Sequence, residues 1–100
     1  MNTTWKGTER RIAAALEGQR VGPSGKSTAD VVTAWLSVEC KHRRELPKWI
    51  KSAVAQARAA AGPGQLGIAV LHEKHKRGDD DLVLIRLGDF VEWFGGDDDG

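Results

Sequence analysis

The sequence predicts a single α/β domain in which helices flank a mixed central sheet. Three observations support this fold class. Apolar residues recur at helical spacing in segments 5–16 and 47–61. Short runs rich in Val, Leu and Ile predict strands before and after the second of these segments. A strand, a helix and a strand in succession are typical of a right-handed parallel crossover. The predicted order of elements is α-β-β-β-α-β-β-α.

The first half of the chain predicts one helix and three strands. Trp5 to Leu16 has an amphipathic pattern, and Gly18 provides a helix end. Gln19 to Val21 predicts a short strand, which leads into a loop rich in Gly, Ser and Pro. Val31 to Trp35 and Leu36 to His42 predict the two strands of a hairpin, although their junction has no Gly, Pro or Asn to form the turn.

The second half predicts a helix, two strands and a short final helix. Pro47 to Ala61 is rich in Ala and carries an apolar stripe, and the segment 62–64, Gly-Pro-Gly, ends that helix. Leu66 to His72 and Leu82 to Leu87 predict strands. Asp89 then predicts the cap of the final helix.

Composition and charge suit one folded domain with an anionic partner. The chain has 100 residues, of which 40% are hydrophobic and 29% charged, so we expect one domain over residues 1–95 and a disordered acidic tail over 96–100. Residues 1–78 contain 14 Lys and Arg against 6 acidic residues, whereas residues 79–100 contain one Arg and 8 acidic residues. The alternative is that these charges only solvate two different surfaces.

Cysteine content and hydropathy predict a cytoplasmic protein. One cysteine allows no internal disulfide, which favours a reducing compartment. One cysteine and three histidines also argue against a zinc cluster. No apolar run approaches the roughly 20 residues that span a bilayer, and the first residues lack the apolar core of a signal peptide. The four tryptophans, Trp5, Trp35, Trp49 and Trp93, are interpreted as core or interface anchors.

The segment from Asp30 to Arg43 carries the pattern from which we predict function. Side chains alternate along a strand, so Glu39 and Lys41 share one face while Cys40 lies on the other. In the predicted hairpin, Asp30 lies beside Glu39, and two carboxylates with water suit Mg²⁺. The alternative is an ordinary exposed Glu39–Lys41 ion pair.

Two further groups near this segment have open interpretations. Glu9 in the first helix either faces solvent near the helix N-terminus or points toward the strands and completes an acidic site. The loop contains Gly25-Lys26-Ser27, but Arg20 stands where a phosphate-binding loop requires its first glycine. We therefore exclude a nucleotide-binding loop, and Lys26 and Ser27 either contact a phosphate or are surface residues.

The residues Glu9, Ser27, Asp30, Glu39 and Lys41, followed by the helix 47–61, resemble the PD-(D/E)xK nuclease superfamily. Within it, the chain is most similar to the small archaeal-type Holliday junction resolvases and related phage resolvases. Ala29 stands where the family often has Pro, and the chain is shorter than most resolvases. The resemblance covers most of the chain and implies a restriction-endonuclease-like core that hydrolyses DNA phosphodiesters in a metal-dependent reaction.

The resemblance also implies a role for each matching residue. Asp30, Glu39 and the main-chain carbonyl of Cys40 would hold Mg²⁺ or Mn²⁺, and Glu9 would bind the metal through water or complete a second ion site. Lys41 would orient the attacking water or neutralise the developing phosphorane charge. Ser27 would contact the scissile phosphate.

Branched DNA, such as a four-way junction, is the implied partner, and two cuts imply a homodimer in a bacterial, archaeal or phage-infected cell. Basic groups near the predicted site are expected to contact the phosphate backbone. They are Arg10, Arg11, Lys26, His42, Arg43, Arg44, Lys48 and Lys51. The rival functions are a nicking, repair or restriction-type nuclease of the same fold, a non-catalytic DNA-binding module, and a purely structural interaction protein.

Overall fold

The computed structural model describes residues 5–21 and 29–95. Within those ranges the chain is a small mixed α/β protein with three α-helices and two small antiparallel sheets. The elements fall into an amino-terminal unit that ends at Arg44 and a carboxy-terminal unit formed by Glu45–Phe94. In the described part of the chain, every helix is too short or too polar to cross a bilayer.

Some predicted features lie outside the described residues. These are the loop that contains Lys26 and Ser27, and the acidic tail over 96–100. The single domain over residues 1–95 stays a prediction.

The amino-terminal unit is one helix on a three-stranded sheet. Helix α1 spans Trp5–Leu16, and strands β1 (Gln19–Arg20), β2 (Val31–Val32) and β3 (Ser37–Val38) pair in the antiparallel order β1-β2-β3. Helix α1 packs against β1 and β2. Three apolar side chains form the buried core of this unit, and Val31 is completely inaccessible; they are Ala13, Leu16 and Val31.

Helix α1 ends in a Schellman motif. The N–H of Gly18 donates to the carbonyl of Ala13 at 2.8 Å, and the N–H of Glu17 donates to the carbonyl of Ala14 at 3.2 Å. The left-handed residue is Glu17, with φ 57°, and not the glycine. Gly18 is required for a different reason, because a Cβ there would lie 2.6 Å from the carbonyl oxygen of Val32. The predicted helix end is therefore confirmed, and the glycine lets the chain approach β2.

A threonine makes the β2–β3 turn that the sequence left unexplained. The Thr33 hydroxyl accepts hydrogen bonds from the N–H groups of Trp35, at 3.2 Å, and Leu36, at 3.0 Å. The Thr33 N–H also donates to the carbonyl of Leu36 at 3.0 Å. A side-chain hydroxyl that satisfies backbone donors takes the place of the Gly or Asn expected in a tight turn.

The carboxy-terminal unit is a helix packed against a two-stranded hairpin. Helix α2 spans Lys48–Ala60, β4 spans Ala69–Leu71, β5 spans Leu82–Leu84, and α3 spans Leu87–Phe90. Helix α2 packs against β4. The approach is close, because a Cβ on Gly67 would lie 2.5 Å from the carbonyl oxygen of Ala57.

Three predictions about the fold are corrected. The strands are only two or three residues long, shorter than their apolar runs. The run that follows α2 pairs with β5 in an antiparallel hairpin, and the described strands contain no parallel pairing. The connection between β4 and β5, over residues 72–81, is shorter than the one between β3 and β4 and costs less closure entropy. Sequence alone does not reveal which partner a strand takes. Asp89 lies inside α3 and does not cap it.

The interpretation of the tryptophans as core residues is also corrected. Their exposed fractions are 53% for Trp5, 62% for Trp35, 59% for Trp49 and 47% for Trp93, so none of the four is a core residue. The alternative, that they are interface anchors, stays a prediction.

Candidate functional site

The β2–β3 hairpin places Asp30 directly beside the end of β3. Val31 pairs with Val38, and the N–H of the preceding residue, Asp30, donates to the carbonyl of the same Val38 at 2.8 Å. The side chain is held as well, since its Oδ2 accepts the N–H of Cys40 at 2.8 Å. These two contacts hold Asp30 beside residues 38–40, so the hairpin brings it close to the segment that carries Glu39.

Helix α1 contributes a buried carboxylate to the same region. Glu9 lies on the face of α1 that contacts the sheet, and its side chain is only 8% exposed. Its Oε1 accepts a hydrogen bond from Nε of Arg20 at 2.8 Å. A carboxylate is costly to bury unless it is paired, and Arg20 provides the pairing charge. Of the two interpretations of Glu9, the structure therefore supports the one in which it points toward the strands.

A cavity of about 350 Å³ brings the predicted residues together. Four of the five predicted catalytic residues line it, namely Glu9, Asp30, Glu39 and Lys41. The fifth, Ser27, lies outside the described residues. The complete lining is Trp5, Thr8, Glu9, Asp30, Glu39, Cys40, Lys41 and His42.

The Glu39–Lys41 pair lies at the open side of the cavity. Lys41 Nζ is 3.5 Å from Glu39 Oε2, and the side chains are 74% and 59% exposed. Both residues lie beyond the end of β3 at Val38, so the contact between their side chains does not arise from alternation along a strand. An ion pair this exposed contributes roughly 0–1 kcal/mol, so either group is available to a ligand at little cost.

Cys40 reports the electrostatic character of the cavity. Burial raises the pKa of the Cys40 thiol above its ordinary value, and the negative charges of Asp30, Glu9 and Glu39 raise it further, while Arg11 opposes them. Three carboxylates therefore act on one point in the cavity. Such a field attracts a cation and disfavours a thiolate, which agrees with a structural rather than a nucleophilic Cys40.

The donor chemistry fits a hard divalent cation. Asp30, Glu39 and the carbonyl of Cys40 supply oxygen ligands, which Mg²⁺ and Mn²⁺ prefer. Asp30 uses Oδ2 for the Cys40 N–H. The described ranges contain no group of three or more His, Cys, Asp or Glu that could hold a metal ion by themselves. Water ligands would have to complete the coordination, which is usual for Mg²⁺.

The predicted nucleic-acid contacts are accessible, but only one is held in the cavity. His42 lines the cavity, and its Nδ1 lies 2.7 Å from the hydroxyl of buried Thr8. The others in the described ranges are exposed; they are Arg10, Arg11, Arg43 and Arg44 in the amino-terminal unit, and Lys48 and Lys51 on α2. Lys26 lies outside the described residues.

Sequence reasoning missed three residues of this site. Trp5 lies one turn before Glu9 on α1, and Thr8 lies one turn after Trp5, so helical spacing gives a signal for both. Arg20 gives no such signal, because its contact with Glu9 joins a strand to a helix 11 residues away.

In comparisons with protein-family models, with curated proteins and with solved structures, nothing matches this chain.

Proposed function

We propose that this chain is a metal-dependent DNA endonuclease of the PD-(D/E)xK type, with a restriction-endonuclease-like core. Branched DNA, such as a four-way junction, is the proposed substrate. One observation carries the proposal, namely that Asp30, Glu39, Lys41 and Glu9 line a single cavity at the end of one hairpin. An acid from a helix, an acid beside a strand and an acid–lysine pair on the next strand are the elements that the reaction needs.

Each group in the cavity has a defined task in this proposal. Asp30, Glu39 and the carbonyl of Cys40 would hold Mg²⁺, which stabilises negative charge on a bound phosphate and makes a coordinated water more acidic. Lys41 is 74% exposed and lies 3.5 Å from Glu39. It therefore has room to turn from Glu39 toward a bound phosphate and to stabilise the charge that develops there.

Glu9 has a supporting task. Its Oε1 already accepts a hydrogen bond from Arg20, so it would act on a metal through water or through its second oxygen. The buried pair also holds α1 to β1, and it thereby keeps the wall of the cavity in place.

Basic side chains around the cavity would bind the DNA backbone. Arg10, Arg11, Arg43 and Arg44 are exposed and lie in the same unit as the cavity. Lys and Arg that neutralise phosphates release counterions, so affinity should fall steeply as salt rises. A homodimer is part of the proposal, because resolving a junction requires two cuts.

A non-catalytic DNA-binding module is the second candidate. Two observations favour it, since Glu9 is paired with Arg20 and the described residues contain no preassembled group of three metal ligands. Such a module would keep salt-dependent DNA binding and would not require Lys41.

The test is incubation of the protein with end-labelled four-way junction, flap and linear duplex in Mg²⁺, with EDTA as the control. Symmetric cuts in the junction alone support a resolvase, and cuts in all three substrates indicate a less selective nuclease. Salt-dependent binding without cleavage in either Mg²⁺ or Mn²⁺ would select the non-catalytic module. Absence of binding would exclude both.

A further inference from the structure

Trp5 has an unusual position on α1. The face of this helix that contacts the sheet runs through Leu16, Ala13, Glu9 and Thr8, all of them buried. Trp5 continues the same face by one turn, lines the cavity and is 53% exposed. Exposure alone does not distinguish Trp5, since the other three tryptophans are exposed to a similar extent. Its position in the lining of a polar cavity is what indicates a ligand surface.

Two cationic groups, those of Lys6 and Arg20, lie over the Trp5 ring. Lys6 Nζ lies 5.6 Å from the centroid of the Trp5 ring, and Arg20 Cζ lies 6.0 Å from it. Arg20 is also the partner of Glu9, so the contact joins Trp5 to the buried wall of the cavity. These cation–π contacts orient the ring, and more than half of the side chain stays accessible. The local chemistry is an oriented aromatic surface with positive charge beside it.

A nucleobase next to a phosphate is the ligand that matches this surface. Bases stack on aromatic side chains with little regard to sequence, while the neighbouring phosphates bind Lys and Arg. A base inside a regular duplex has both faces covered by its neighbours. Only an unpaired, terminal or branch-point base presents a face to an indole.

We propose that Trp5 stacks on an unpaired or branch-point base of the nucleic-acid substrate and positions the adjacent phosphate in the cavity. This inference rests on the proposed function and adds how the site selects branched over linear DNA. Trp5 is a substrate-positioning residue in this scheme, and the groups that act on the phosphate remain those in the cavity.

The test is an abasic scan of a labelled branched DNA, with binding measured in EDTA so that cleavage does not contribute. Single abasic residues are placed in turn at each nucleotide around the branch point. Wild type, Trp5→Ala and Trp5→Phe are compared on the whole series. Stacking of one base is worth on the order of a tenfold change in affinity. We expect Trp5→Ala to bind intact branched DNA roughly tenfold more weakly, and Trp5→Phe to recover most of that loss.

The decisive measurement is whether the loss of affinity caused by Trp5→Ala and the loss caused by an abasic residue are independent when the two are combined. At the stacked position, removing the base should weaken wild type roughly tenfold and should leave Trp5→Ala almost unchanged. A purely structural Trp5 would instead give losses that multiply at every position, and that result would overturn the proposal. The matched control is Trp35→Ala, since Trp35 is 62% exposed in the same unit and does not line the cavity. For Trp35→Ala, any loss of affinity should multiply with the loss caused by the abasic residue at every position.

Other outcomes also decide the matter. If Trp5→Ala does not fold, judged by its circular dichroism, the wild-type scan and Trp5→Phe carry the test. A wild-type scan without any position-dependent loss would refute stacking. If wild type cleaves branched DNA but the losses are additive, stacking fails and the proposed nuclease stands. If wild type binds no DNA, both fail.

Discussion

The two units of the molecule use charge in different ways. In the amino-terminal unit, the Glu9–Arg20 pair is largely buried, with side chains 8% and 21% exposed. In the carboxy-terminal unit, Arg77 and Asp79 are 82% and 81% exposed. His72 and Asp81, which lie 2.7 Å apart, are 52% and 24% exposed. The first unit therefore holds a charge pair out of water, whereas the second keeps its pairs near solvent.

The two cavities show the same contrast. The carboxy-terminal unit contains a cavity of about 720 Å³, which is larger than the one around Asp30 and is lined by none of the predicted site residues. Its main charges neutralise each other, because Asp89 accepts hydrogen bonds from Arg58, at 2.7 Å, and Arg86, at 3.0 Å. The smaller cavity has three carboxylates and a weakly held lysine. The smaller cavity therefore differs from the larger one in the groups that it leaves available for a ligand.

The largest effect is expected from Lys41→Ala. If Lys41 stabilises charge on the reacting phosphate, cleavage of branched DNA should fall roughly 100- to 1000-fold, while binding in EDTA changes little. The matched control is Lys74→Ala, which removes an exposed lysine that is not a predicted DNA contact and does not line the cavity. Its cleavage rate at saturating DNA should stay near wild type. Equal cleavage rates for Lys41→Ala and wild type would show that Lys41 takes no part in the reaction.

Glu9→Gln and Glu39→Gln compare how much stability is lost when a buried charge and an exposed charge are removed. Glu9→Gln leaves Arg20 partly buried without its counter-charge, which should lower the free energy of unfolding by about 2 kcal/mol. Glu39→Gln removes only an exposed pair and should cost less than about 1 kcal/mol. Urea denaturation followed by circular dichroism measures both values. Equal losses would mean that the Glu9–Arg20 pair is not the buried contact described here.

The Cys40 thiol should be a probe of the carboxylates. Burial and the charges of Asp30, Glu9 and Glu39 raise its pKa above 9.0, so the thiolate forms only at higher pH than in a free peptide. The pH–rate profile for alkylation in metal-free buffer should have its midpoint above 9.0. Asp30→Asn should lower that midpoint. A midpoint that does not move in Asp30→Asn would show that Asp30 does not act on the cavity.

The smallest effect is expected in the carboxy-terminal unit. Hydrogen bonds from Arg58, assisted by Arg86, lower the pKa of Asp89 below its ordinary 3.8. A lowered carboxyl pKa contributes stability above pH 3.8, and that contribution is lost as pH falls through the lowered pKa. Asp89→Asn should therefore be slightly less stable than wild type at neutral pH and equal to it in strong acid. A difference that persists unchanged in strong acid would contradict this account.

The hairpin site could be predicted because its determinants are local. Glu39 and Lys41 are two residues apart in the chain, and the hairpin that pairs Val31 with Val38 holds Asp30 beside Cys40. Arg20 and the Thr8–His42 contact could not be predicted, because each joins segments whose packing depends on the fold.

The strand pairing was predicted less well than the elements themselves. Each apolar run marks a strand, but periodicity does not specify its length or its partner. The run after α2 pairs with β5 across the connection 72–81, whereas the crossover rule predicted a parallel partner. The Thr33 turn was missed for a related reason, because a hydroxyl that binds two backbone N–H groups leaves no Gly or Pro signature.

The central claim is that Asp30 and Glu39 form one cation site, and direct Mn²⁺ binding tests it without DNA or turnover. Electron paramagnetic resonance would measure free Mn²⁺ during titration of wild type, Asp30→Asn and the control Asp89→Asn. Wild type and Asp89→Asn should bind Mn²⁺ with equal affinity, and Asp30→Asn should bind at least roughly tenfold more weakly. If Asp30→Asn and wild type bind Mn²⁺ equally, or if neither binds it, the claim is wrong.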